Sequence, residues 1–190
     1  MAIHVTRTDL EGLVLIDPDC ARDERGFFLE SYHRRRFAEH GLELEFVQDN
    51  HSRSSRKVLR GFHYQDMTAP MAKLVRCTAG SILDVAVDLR VGSPTFGRWV
   101  STELSAENMR QILVPVGFGH AFITLSDAAE VQYKCTGFYT PAAEGGVAWN
   151  DPDIGVEWPF PDPLLSDRDR RAPSLTSYLE RPAFRYGRTV

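Results

Sequence analysis

The stretch "SILDVAVDL", residues 81–89, alternates at a period of two. Leu83, Val85, Val87 and Leu89 point one way; Ile82, Asp84, Ala86 and Asp88 point the other. Successive side chains of a β-strand lie on opposite faces, so this stretch reads as a strand. Similar short runs lie on both sides of it: "FFLESY", "LEFVQDNHS", "VLRGFHY" and "AKLVRCTAG" before, "RWVSTEL", "QILVPV", "HAFITL" and "AEVQYKCTGFY" after. Turn signals separate them: Gly80, "GSPTFG", "VGFG" and "TPAAEGG". Helix signals are few. "SYHRRRFAEHGL" has Phe37 as apolar anchor and Gly41 as stop, and "SAENMR" suggests a single turn. Many evenly spaced strands with few short helices predict an all-β sandwich or barrel.

The 190 residues suggest one domain, residues 1–190, with a barrel core over about 25–146. From about residue 147 to 180 the chain is rich in Pro, Asp and Trp. It is too apolar for disorder and too Pro-rich for regular structure. It reads as a C-terminal extension packing over the barrel and delivering side chains to its mouth. The last ten residues, "RPAFRYGRTV", read as a loose tail. The net charge of −4 argues against a nucleic-acid or anionic-membrane binder, so an anionic ligand needs a local Arg and Lys cluster. No apolar run has membrane-span length, and the N-terminus lacks a signal-peptide core. Cys20, Cys77 and Cys135 match no zinc or disulfide spacing and suggest reduced, cytoplasmic thiols.

In "VLRGFHYQ", strand alternation puts Leu59, Gly61, His63 and Gln65 on one face. A histidine and a glutamine inside a small barrel need partners. Lys73, His120 and Tyr133 follow on later strands, at positions that could also face inward. Two chemistries fit. One is a metal site of His63, Gln65 and His120, which the ammonium of Lys73 would oppose. The other is proton transfer next to a carbonyl: a histidine base, a cation for the enolate oxygen and a tyrosine acid. In strict alternation Arg60 points away from His63, unless Gly61 marks a bulge or Arg60 serves across a dimer interface.

The blocks "DERGFFLESY", "FVQDNHSRSS", "VLRGFHYQ", "KLVRCTAGSILDVAVDLRVGSPTFGRW", "VPVGFGHAF", "VQYKCTGFYTP", "WNDPDIGVEWP" and "LLSDRD" resemble the dTDP-4-dehydrorhamnose 3,5-epimerase family, in the same order from about residue 2 to 176. The resemblance implies a cupin-type jelly-roll homodimer that needs no cofactor and no metal. It implies inversion of C3 and C5 of dTDP-4-keto-6-deoxy-D-glucose, both carbons being α to the C4 ketone. Relatives that invert only C3 or only C5 would share the same base. By resemblance, His63 is the base, Asp169 its partner, Lys73 the cation near the carbonyl and Tyr133 the acid. Alone, within "SDRDRR", Asp169 would read as part of a solvated charge run. His120, Gln48, Asn50, Glu30, Tyr139 and Glu144 match substrate-contacting positions. Arg25, Arg60 and Arg168 are candidates for the diphosphate. Phe27 or Phe28 is a candidate to stack on the base. Lys57 stands where the family usually has Gly, and Arg168 where it often has Lys.

Overall fold

The computed structural model describes residues 1–187. The chain opens with β1 (Ile3–Arg7), β2 (Val14–Pro18), the short ribbon β3 (Ala21–Asp23) and β4 (Gly26–Phe28), and helix α1 (Arg34–Glu39). The central strands are β5 (Gln48–Ser55), β6 (Leu59–Gln65), β7 (Lys73–Ala79), β8 (Ser81–Asp88), β9 (Arg90–Val91), β10 (Trp99–Ser105), β11 (Gln111–Val114), β12 (Phe118–Thr124) and β13 (Ala128–Cys135). Then come β14 (Glu144–Gly146), α2 (Asp167–Arg170), α3 (Leu175–Glu180) and β15 (Phe184–Arg185). Two antiparallel sheets carry the fold. A six-stranded sheet has the order β1-β2-β11-β7-β13-β5, and a five-stranded sheet the order β10-β8-β12-β6-β14. Chain neighbours such as β7 and β8 lie in different sheets, as in a double-sheet jelly roll.

Three apolar clusters bind these layers. Between the sheets lie Val75, Ile82, Ala86, Leu104, Ile112, Phe118, Phe122 and Val131. On the outer face of the six-stranded sheet, Phe37 and Leu42 cover Val14, Ile16, Leu74 and Leu113. On the outer face of the five-stranded sheet, Ile154, Leu175, Tyr178 and Phe184 cover Phe62, Val85, Val87, Leu89 and Ala121. The fully apolar face of β8 is therefore the one beneath the C-terminal segment. Its mixed face, with Asp84, looks into the barrel.

Hydrogen bonds fasten that segment. Trp99 Nε1 donates to the Ile154 carbonyl at 3.0 Å, and Tyr178 OH to the Leu89 carbonyl at 2.7 Å. Leu164 is clasped by Lys57 and Leu59: its N–H donates to the Lys57 carbonyl at 2.9 Å, and the Leu59 N–H donates to the Leu164 carbonyl at 3.0 Å. Lys57 sits at φ 67°, the left-handed region that favours glycine, and its Nζ meets Asp162 at 2.9 Å. The side chain thus ties down the segment at a position where glycine would only turn the chain.

Several local expectations are revised. The expected strand at 44–52 lies later, as β5. "SAENMR", by contrast, forms the expected single turn: the Met109 N–H donates to the Ser105 carbonyl at 3.1 Å, Ser105 Oγ accepts the Asn108 N–H and Asn108 Oδ1 accepts the Ser105 N–H, both at 3.0 Å. Main-sheet strands begin before residue 25, because β1 and β2 extend the six-stranded sheet. Both are five residues long and β2 runs into Pro18, so their signal is weak. The expected loose tail is docked as far as it is described: β15 pairs in parallel with β9, and Phe184 is buried against Tyr64 with ring centroids 5.2 Å apart. Its last residues, Arg188, Thr189 and Val190, lie outside the described residues.

Replacing Phe184 by Ala should cost about 3–5 kcal/mol, as for other buried phenylalanines. The check is the urea midpoint. An unchanged midpoint would mean that the tail is not part of the core.

Candidate active site

Strand β6 carries the site because it breaks its own alternation. Its register against β12 pairs His63 with His120 but Arg60 with Phe122, so β6 holds one residue more than β12 over this span. The extra residue restores the facing, and Arg60 shares the interior side with His63. Gly61 makes this possible. It has φ 122°, and a Cβ there would lie 2.4 Å from the His120 carbonyl oxygen. The opposite face of β6 sends Phe62 and Tyr64 into the cluster beneath the C-terminal segment.

Asp169 reaches His63 through a local capping pattern, Ser166-x-x-Asp169. Ser166 Oγ accepts the Asp169 N–H at 3.1 Å and donates to Asp169 Oδ2 at 2.8 Å. Oδ1 is left to accept from His63 Nε2 at 2.5 Å. With Nε2 carrying the proton, Nδ1 is the free acceptor. Burial pushes the His63 pKa below the ordinary histidine value, and Asp169 opposes this without reversing it. The imidazole is therefore neutral near pH 7. Burial alone would raise the Asp169 pKa, but hydrogen bonds from His63 and Ser166 and the Arg168 charge hold it low, as an anion.

His120, directly across from His63, places Nε2 2.9 and 3.0 Å from the two oxygens of Asp84. Asp84 is fully buried and was not among the residues singled out from sequence. A signal existed: a carboxylate inside an apolar alternation needs a buried partner.

From the opposite sheet come Lys73 and Tyr133. The Lys73 Nζ lies 5.9 Å from the centre of the Tyr133 ring. Burial pushes the Lys73 pKa down, against the pull of Cys135, Glu144 and Asp84. Among the described residues no carboxylate lies within ion-pair distance of it, so an incoming oxyanion would meet an under-solvated ammonium. Burial pushes the Tyr133 hydroxyl up, so it stays protonated.

A cavity of about 310 Å³ between the sheets is lined by His63, Lys73, Tyr133, Gln48, Asn50, Gln65, Tyr139 and Glu144, with Tyr64 and Met71. Gln48 Nε2 donates to Asn50 Oδ1 at 3.1 Å, and Asn50 Nδ2 to Cys135 Sγ at 3.6 Å, which orients both amides. At the rim Glu144 accepts from Tyr139 OH at 2.9 Å and pairs with Arg168 at 2.5 Å. Arg60 donates to Ser54 Oγ at 3.0 Å. Of the residues considered for a metal, His63 bonds Asp169 and His120 bonds Asp84 through one ring nitrogen each, and the Gln65 amide bonds the Thr140 backbone.

Arg25 and Glu30 do not line this cavity. Arg25 lies on the β3–β4 ribbon, outside both main sheets, and is held by Asp23 at 2.5 Å. Glu30 is taken by the N-terminal amine at 3.2 Å and by Arg36 at 2.7 Å. Phe27 and Phe28 are 55% and 66% exposed on the same ribbon. Sequence spacing does not show that this ribbon stands apart.

A neutral imidazole, an ammonium and a protonated phenol around one cavity can remove a proton from carbon, stabilise the resulting oxyanion and return a proton from the other side. A family model described as dTDP-4-dehydrorhamnose 3,5-epimerase matches residues 7–177. The enzyme of that name from Pseudomonas aeruginosa is 54% identical over 171 residues, 89% of this chain and 94% of the relative. A dTDP-4-dehydrorhamnose 3-epimerase from Streptomyces niveus is 45% identical over 164 residues, 86% of this chain and 79% of the relative. The crystal structure of a dTDP-6-deoxy-D-glucose-3,5-epimerase from Legionella pneumophila, in complex with dTDP-4-keto-L-rhamnose, superposes with a TM-score of 0.93 at 43% identity. It covers 98% of this chain and 100% of that one.

NMR titration of the His63 ring should give a pKa below about 6.5, and Asp169→Asn should move it lower still, because the carboxylate is what raises it. A His63 pKa at or above 6.5 in the intact protein would contradict the dominance of burial.

Proposed function

Because the chain belongs to the dTDP-4-dehydrorhamnose 3,5-epimerase family, we propose that it inverts C3 and C5 of dTDP-4-keto-6-deoxy-D-glucose, giving dTDP-4-keto-L-rhamnose. One observation carries the mechanism: His63, backed by Asp169, and Tyr133 enter a single cavity from opposite sheets, with Lys73 beside Tyr133. His63 Nδ1 takes the proton from the carbon next to the C4 ketone. The ketone itself accepts the electron pair, so the step needs no cofactor. Lys73 faces the enolate oxygen, and Asp169 stabilises the imidazolium that forms. Tyr133 protonates the carbon from the opposite face, which inverts it. Both carbons flank the same ketone, so one set of groups serves both.

The nucleotide half is assigned to Arg60 and Arg168 for the diphosphate, with Gln48, Asn50, His120, Tyr139 and Glu144 around the sugar. The exposed ribbon supports a homodimer in which Arg25, Glu30 and Phe27 or Phe28 serve the second copy's nucleotide. Three unpaired cysteines go with a cytoplasmic site of action.

In heavy water, the product from dTDP-4-keto-6-deoxy-D-glucose should carry deuterium at both C3 and C5. Deuterium at one carbon alone would make the chain a mono-epimerase, like its relative from Streptomyces niveus. His63→Ala should lower kcat by about 10²–10⁴-fold. Tyr133→Phe should still exchange the substrate proton while failing to invert the carbon. Because the base works neutral and its pKa is lowered, kcat/KM should fall with falling pH only below about 6.5. A flat acid limb would remove His63 as the base.

A further inference from the structure

Gln65 lies two residues beyond His63 on the interior side of β6 and is 5% exposed. Its amide is turned to the backbone of one residue. Oε1 accepts the Thr140 N–H at 2.8 Å, and Nε2 donates to the Thr140 carbonyl at 3.2 Å. A neighbouring strand would satisfy a residue in the same way. The preceding residue, Tyr139, donates its N–H to Gln48 Oε1 at 3.0 Å. Gln48 belongs to the six-stranded sheet and Gln65 to the five-stranded one. The stretch between β13 and β14 is thus pinned to both sheets by two side-chain amides.

Residues 138–140 of this stretch have little else to hold them, whereas further on the Ala143 carbonyl accepts the Asp66 N–H at 2.8 Å and Glu144 opens β14, which pairs with β6. Phe138 and Tyr139 are 68% and 51% exposed, so apolar burial contributes little to their order. Yet these residues present Tyr139 to the cavity. We propose that Gln65 is a positioning residue: it clamps residues 138–140 across the cavity mouth and so sets substrate affinity through Tyr139. The proposal rests on the functional reading above for the substrate, but not for the clamp itself.

The test is Gln65→Met, which keeps length and bulk and loses both hydrogen bonds, with Gln65→Ala beside it. The losses should raise KM about tenfold and change kcat less than about threefold. The acid limb of the pH profile should not move, because His63 and Asp169 are untouched. Hydrogen exchange at the Tyr139 and Thr140 amides should quicken about tenfold or more, while β6 and β13 keep their protection. Unchanged exchange and unchanged KM would overturn the clamp. So would a shifted acid limb with a large loss in kcat, which would mean that β6 itself is disturbed. The exchange measurement needs no substrate. If the amides loosen as expected but the wild type does not turn over dTDP-4-keto-6-deoxy-D-glucose, the functional reading fails and the clamp stands.

Discussion

A histidine lifted out of water between two β-sheets needs a partner, and Asp169 is the partner His63 receives. The rest of the architecture serves that contact. Asp169 belongs to the C-terminal segment, which passes over the outside of the five-stranded sheet, not to the barrel wall. To deliver one carboxylate the segment is pinned along its length, at Lys57, Leu59, Trp99 and Leu89. It also covers the most apolar face of β8. The same layer that completes the hydrophobic core therefore orients the imidazole.

The interior is correspondingly divided. One end of the space between the sheets is filled by Val75, Ile82, Ile112 and Phe118. The other holds two histidine–aspartate pairs, an ammonium and a phenol. His63 and His120 each meet an aspartate, whereas Lys73 meets no carboxylate at ion-pair distance among the described residues.

Much of this was legible in the chain. The alternation of residues 81–89 is β8, and Phe37 with Gly41 framed α1. His63, Lys73, His120 and Tyr133 converge, as inward positions on separate strands suggested. What stayed hidden depends on parity or on distance. Arg60 faces inward because of a bulge at Gly61, one of the two alternatives that the sequence left open and could not decide between, since strict alternation gives the opposite answer. Asp169 looks like one more charge in "SDRDRR" until Ser166 caps it and turns it inward. Asp84 shows on its strand as a carboxylate in an apolar alternation, but its partner His120 lies 36 positions away. Arg25 is a candidate for the diphosphate by its chemistry, yet its ribbon stands clear of this chain's own cavity.

The His63–Asp169 contact spans 106 positions of sequence. During synthesis every strand of the two main sheets leaves the ribosome before Asp169 does. The jelly roll can close around an imidazole that still lacks its carboxylate. A chain stopped short of residue 169 would lack both the carboxylate that orients His63 and the Leu175, Tyr178 and Phe184 cover of the five-stranded sheet. The order of translation thus delays catalysis until the polypeptide is nearly whole.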